Sequence, residues 1–120
     1  MAGEVVHIEF IGEDADRSQR FWEGLFGWKF GDSGMPGMDY RMARTGEQSG
    51  AAIYAADERS GHPNIYFACD DIDASCARVR ELGGTAGDKM PVPTHGWLAP
   101  CTDSEGTSFH LWQADAKAGA

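Results

Sequence analysis

The sequence predicts an α+β fold: two strand–helix–three-strand (βαβββ) units that together form one cavity-bearing, partly open barrel. Three observations predict it. The 120-residue chain repeats itself at an interval of 57. Each copy opens on a segment of alternating polarity. Each such segment runs into a helical pattern with an acidic residue in capping position.

The repeat decides the architecture. A shift of 57 places Ile8 on Ile65, Phe10 on Phe67, Asp14 on Asp71, Asp16 on Asp73, Ser18 on Ser75, Leu25 on Leu82 and Gly27 on Gly84. These identities fall between positions 8 and 27 without a gap, far above chance. The units run over about 4–55 and 62–113 of a single domain, joined near 57–62, with a short tail at 114–120. A chain of this length supports one core and not two independent ones.

The elements follow in order. In Val5-Val6-His7-Ile8-Glu9-Phe10-Ile11, the residues Val6, Ile8 and Phe10 share one face and His7 and Glu9 the other. In Asn64-Ile65-Tyr66-Phe67-Ala68, Ile65 and Phe67 match the first face and Asn64 and Tyr66 the second. Both read as half-buried strands. Asp14 or Asp16 caps the first helix and Asp71 the second. Phe21 and Leu25 mark the apolar face of the first helix, and Ile72, Cys76 and Val79 that of the second. Gly27 and Gly83-Gly84 end them. Three short strands then complete each unit, near 28–30, 39–43 and 51–54, and near 85–87, 96–101 and 108–113. The glycine-rich stretch 31–37 reads as a flap, with no phosphate-loop spacing. A sheet with a helix on one face leaves its other face open. Two such sheets enclose a cavity for a ligand.

Composition narrows the function classes. Apolar residues make up 42% and charged residues 24%, ordinary for a soluble globular chain. The net charge of −9 repels phosphate backbones and argues against nucleic acid. It accords with solubility and with a cationic ligand. No apolar run reaches membrane-span length, and the start lacks a signal-peptide pattern. Cys69, Cys76 and Cys101 are odd in number and widely spaced. They read as small buried side chains in a reducing cytoplasm, not as a disulfide framework.

Several motifs are familiar. His7-Ile8-Glu9-Phe10, Arg17-Ser18-Gln19-Arg20-Phe21-Trp22 and Leu25-Phe26-Gly27-Trp28 resemble the opening of vicinal-oxygen-chelate proteins, the superfamily of glyoxalases, bleomycin-resistance proteins and extradiol dioxygenases. Asp70-Asp71-Ile72-Asp73, Leu82-Gly83-Gly84 and Asp103-Ser104-Glu105-Gly106 resemble its second half. The resemblance spans about 5–113. It implies four strand positions that hold one divalent ion (nickel, zinc, manganese or iron) in metal-using members. The corresponding residues here are His7, Ile53, Asn64 and His110, and the 57-residue shift relates Ile53 to His110. Two imidazoles and an amide make a poor metal site, so no cofactor follows with certainty. Many relatives pair, and a homodimer is the expectation.

The candidate site residues are therefore His7 and His110, as metal ligands or as an acid–base pair. Glu9 is a general base or a counter-ion to a cationic ligand. Tyr66, Trp112 and Trp97 are aromatic walls, with Tyr40 a further candidate, and Asn64 contacts the ligand. Cys101 is a cavity thiol without an identifiable base. Trp22 and Trp28 pack helix against sheet or form a subunit contact, while His62 and His95 sit exposed in loops. Two readings stand. One is a binding protein that sequesters a small aromatic compound, cationic or neutral. The other is a lyase or isomerase acting on a small oxygenated substrate. A pure interaction module is the third.

Overall fold

The computed structural model describes residues 2–58 and 61–120. They form two compact units: Val6–Asn64, and Ile65–Ala120 with the N-terminal residues up to Val5. Each follows the βαβββ plan, an α+β arrangement in which one parallel strand pair joins an otherwise antiparallel ladder.

The N-terminal unit runs β1 (Val5–Gly12), α1 (Ala15–Phe26), β2 (Gly31–Asp32), β3 (Tyr40–Arg44) and β4 (Gly50–Ala55). Its strand order is β2-β3-β4-β1, with β1 and β4 parallel. Asp14 accepts a hydrogen bond from the Arg17 backbone N–H and caps α1. Gly27 ends the helix at φ 74°, a conformation that favours glycine. The register sets Phe10 beside Ile53 and Ile8 beside Ala51. That face packs on α1. Ile53 and Ala51 are buried, and Phe10 stacks on Trp22 with ring centroids 4.5 Å apart. Trp28 joins the stack at 5.7 Å from Trp22, in its expected packing role.

The C-terminal unit runs β5 (Asn64–Ala68, its first residue Asn64 belonging to the N-terminal unit), α2 (Ile72–Glu81), β6 (Thr85–Ala86), β7 (Met90–Val92), β8 (Gly96–Thr102) and β9 (Ser108–Ala114). Its order is β5-β9-β8-β6, with β7 also paired to β8 and β5 parallel to β9. Asp71 caps α2 through the Ala74 N–H. Ile72, Cys76, Ala99, Cys101 and Leu111 form the buried core.

The structure corrects three expectations. The strand placed at 28–30 is instead β2 at Gly31–Asp32. The Phe30 N–H donates to the Glu23 side chain at 2.9 Å, and its ring enters the core, so neither serves a ladder. The strand near 85–87 has a second piece, β7, on the same partner. Its Pro91 lies on an edge, where the missing N–H is tolerated. The apolar face of α1 is not that of Phe21 and Leu25, which are 60% and 57% exposed. Ala15 and Trp22, seven residues apart, face inward because the indole covers Phe10 better than either smaller side chain.

Candidate functional site

In each unit the sheet face turned away from the helix carries the candidate chemistry. Paired residues of neighbouring strands project to the same side. In the N-terminal unit the register therefore aligns His7 with Gly50, Glu9 with Ala52 and Ile11 with Tyr54. Tyr40 pairs with Tyr54 on the next strand. Glu9 is only 8% exposed. A carboxylate so placed needs a donor. Asn64 supplies one, its Nδ2 donating to Glu9 Oε1 at 2.9 Å. His7 Nε2 and the Tyr40 hydroxyl share a hydrogen bond of 2.9 Å. Burial lowers the His7 pKa from its ordinary 6.5, and the Glu9 charge opposes the shift only in part. His7 is accordingly neutral at pH 7, one ring nitrogen donating and the other accepting.

The C-terminal unit presents aromatics in the equivalent place. Tyr66 pairs with His110 and Ala68 with Trp112. The Tyr66 and His110 rings stack with centroids 4.5 Å apart and planes 23° apart. Trp112 lies two residues beyond His110 on the same face. Its indole extends over Gly96, where a Cβ would come within 2.7 Å of the ring. Glycine there leaves the space the indole occupies.

Two candidates lie elsewhere. Trp97 pairs with Gln113, one step out of phase with His110 and Trp112, and packs on the α2 side. Its Nε1 donates to Asp115 at 3.0 Å and Lys89 sits 4.7 Å over its ring. It is a structural residue of the opposite face. Cys101 is buried on that same side. Burial pushes its thiol up to about 11, which makes it a poor nucleophile.

The second position of the ligand set also moves. Ile53 pairs with Phe10 and belongs to the core. The residue beside Glu9 is Ala52, and its equivalent beside Tyr66 is His110. The interval has grown from 57 to 58, one extra residue having entered before β9. His7 and His110 fall in different units. Gly50 and Ala52 supply no donor beside His7 and Glu9, and His7 Nε2 already engages Tyr40. Among the described residues no three His, Cys, Asp or Glu side chains are grouped to hold a metal ion. The donor set does not fit a catalytic metal, which wants three good ligands and an open position.

Two hollows of about 500 Å³ each lie in the N-terminal unit. One is lined by Phe10, Trp22, Arg17, His62 and Pro63, the other by Gln19, Phe30, Asp32 and Arg41. None of the candidate site residues lines either. Sequence reasoning undervalued Tyr40, whose alternation within 39–43 left its strand partner open. It passed over Ala52 and Tyr54, which become visible only once the β1–β4 register is known. No helix among the described residues is long and apolar enough to cross a membrane.

Comparison with known proteins places this arrangement. Residues 7–112 match the profile described as "Glyoxalase-like domain". A protein of Mycobacterium tuberculosis named "Putative glyoxylase CFP32" is 26% identical over 113 residues, which span 91% of this chain and 43% of that protein. The chain thus spans under half the length of the curated relatives it matches. Among solved structures, a hypothetical protein from Bacillus halodurans superposes with a TM-score of 0.77 at 14% identity, covering 100% of both chains. A variant of the methylmalonyl-CoA epimerase of Streptomyces coelicolor, in complex with 2-nitronate-propionyl-CoA, gives 0.71 at 16% identity, again covering 100% of both. At these identities the structural likeness speaks for the fold. The profile covers most of the chain, and the chain belongs to the glyoxalase-like domain family of the vicinal-oxygen-chelate superfamily.

Proposed function

We propose that this chain is a small-molecule-binding protein that holds a flat aromatic ligand, cationic or neutral, against Tyr66, His110 and Trp112. The observation that carries the reading is the Tyr66–His110 stack at 4.5 Å, with Trp112 on the same open strand face. Preformed aromatic surfaces bind planar molecules with little ordering cost, since the rings are already fixed. The net charge of −9 favours a cation over an anion. Asn64 and Glu9 supply a polar pair on the corresponding face of the N-terminal unit.

A titration with ethidium, a planar cation, and with phenanthridine, its uncharged core, tests this. The expected result is saturable binding, with the cation tighter. His110→Ala and Trp112→Ala should each weaken it about tenfold. Mass spectrometry should recover the ligand unchanged. Binding undiminished in both variants would remove the platform from the site.

A second reading is favoured by one specific observation, the buried Glu9 beside a neutral His7. In it the chain is a lyase or isomerase. Glu9 takes a proton from carbon next to a carbonyl, Asn64 orients Glu9, and His7 with Tyr40 returns a proton. Methylmalonyl-CoA, the substrate named for the structural relatives, is the natural probe. Solvent deuterium would enter it with the wild-type chain and not with Glu9→Gln. No exchange above background would set this reading aside. His7 and His110 as metal ligands have no support in the donor set, so no step is routed through a metal.

A further inference from the structure

Tyr40 reaches across a whole strand. β4 lies between β1 and β3, so the 2.9 Å bond between the Tyr40 hydroxyl and His7 Nε2 crosses it. His7 stands beside Gly50 and Tyr40 beside Tyr54, which takes the crossing over Ala52. A side chain longer than a methyl there would stand in the path. The reaching phenol starts at the first residue of β3, near the sheet edge. β2, the outer neighbour, pairs with Arg41 and Met42 and stops short of Tyr40. A hydrogen bond weakens steeply as its length and angle leave the ideal. A tilt of β3 is magnified at the end of so long a side chain, so the bond needs a strand that is held.

Arg41 holds it from the other side. Its side chain is 22% exposed and, like its partner Ile53, projects toward α1. Nε and one Nη donate to the two oxygens of Asp39 at 2.9 and 3.0 Å, a bidentate pair that brackets Tyr40. The other Nη donates to Asp16 at 2.8 Å and to Gln19 at 3.0 Å, both on α1. Gln19 in turn donates to Glu23, which also accepts the Phe30 N–H. One guanidinium thus ties β3, the residue before it and the helix together.

The C-terminal unit provides an internal control. Ala99 pairs with Leu111 as Arg41 pairs with Ile53, and it is 0% exposed. Leu98 stands beside Trp112 as Tyr40 stands beside Tyr54. Where the open face carries a leucine, the helix side carries a core methyl. Where the open face carries a phenol with a distant partner, the helix side carries a hydrogen-bonded fork.

We propose that Arg41 is a positioning residue, which fixes β3 against α1 and so keeps the Tyr40 phenol within hydrogen-bond reach of His7. Asp16, Gln19 and Asp39 are its anchors. Its effect on turnover rests on the lyase or isomerase reading of His7 and Tyr40, whereas its effect on the bond does not.

Long-range proton–nitrogen NMR spectra of the His7 ring at neutral pH test the clamp, because the bond to Tyr40 decides which ring nitrogen carries the proton. The expected result is one tautomer in the wild type, and a mixture of two in Tyr40→Phe and in Arg41→Met alike. Ile72→Val, which lowers the Tm from the core of the other unit, should keep the wild-type tautomer. Deuterium entry into methylmalonyl-CoA should fall about 100-fold in Tyr40→Phe and about tenfold in Arg41→Met, in kcat and not in KM. A wild-type tautomer in Arg41→Met would overturn the proposal. So would an equal loss of the tautomer in Ile72→Val, since any destabilisation would then suffice. Absence of exchange in the wild type counts against the lyase or isomerase reading alone, because the tautomer reports on Arg41 without turnover.

Discussion

The two units differ sharply on one sheet face and hardly at all on the other. On the helix side, Ile8, Phe10 and Ile53 of the N-terminal unit correspond to Ile65, Phe67 and Leu111 of the C-terminal unit. All are apolar. On the open side, His7 corresponds to Asn64, Glu9 to Tyr66, Ala52 to His110 and Tyr54 to Trp112. One unit presents a hydrogen-bonded carboxylate and imidazole, the other a stack of rings. Packing against a helix constrains size and polarity at every position on the helix side. The same backbone thus carries two chemistries on the face turned away from the helices, where Glu9 and Ala52 are nonetheless buried.

Mutation of the matched cores should break this comparison hardest. Ile53→Ala and Leu111→Ala each empty a matched, buried site, 1% and 8% exposed. Each should cost about 2–5 kcal/mol in denaturant unfolding. A cost under about 1 kcal/mol at either one would mean that the two helix-facing layers are not alike.

The open faces should respond less. Asn64→Ala removes the donor that Glu9 uses, leaving a buried carboxylate oxygen without it. The expected loss is about 1–3 kcal/mol, measured at neutral pH. Stability unchanged by Asn64→Ala would show Glu9 to be hydrated, and would weaken both functional readings of that face.

The smallest effect is in pH. The folded-state pKa of His7 lies below its unfolded 6.5, because burial disfavours the imidazolium. Between those two values the unfolded chain binds more protons than the folded one. The His7 contribution is fully present above 6.5 and declines as pH falls toward the folded pKa. His7→Gln should flatten that part of the stability profile relative to wild type. A steeper decline in His7→Gln would reverse the sign assigned here.

Much of the fold was legible in the residues. Alternation identified β1 and β5, and the second matches its expected bounds of Asn64–Ala68. Asp71, and one of Asp14 and Asp16, were readable as caps from their place before the helical patterns, and the structure uses Asp14. The failures share a cause. Phe21 and Leu25 have helical spacing, yet so do Ala15 and Trp22, and only the position of Phe10 chooses between the pairs. Trp97 is aromatic wherever it points, and a one-step difference in phase sends it to the helix side.

The sequence by itself determined the local and periodic features: two units, their helices, which strand residues share a face, and His7, Glu9, Tyr66 and His110 as polar or aromatic members of the open faces. These follow from backbone geometry, which repeats every two or 3.6 residues regardless of what lies across the chain. Tertiary structure alone decided which strand positions stand side by side. The β1–β4 register puts Ala52, not Ile53, beside Glu9, and the interval of 58 makes Ala52 the counterpart of His110, so that among the described residues no group of donors a metal would need is assembled there. Register is a property of two strands at once, and a slip of one residue turns every side chain to the opposite face.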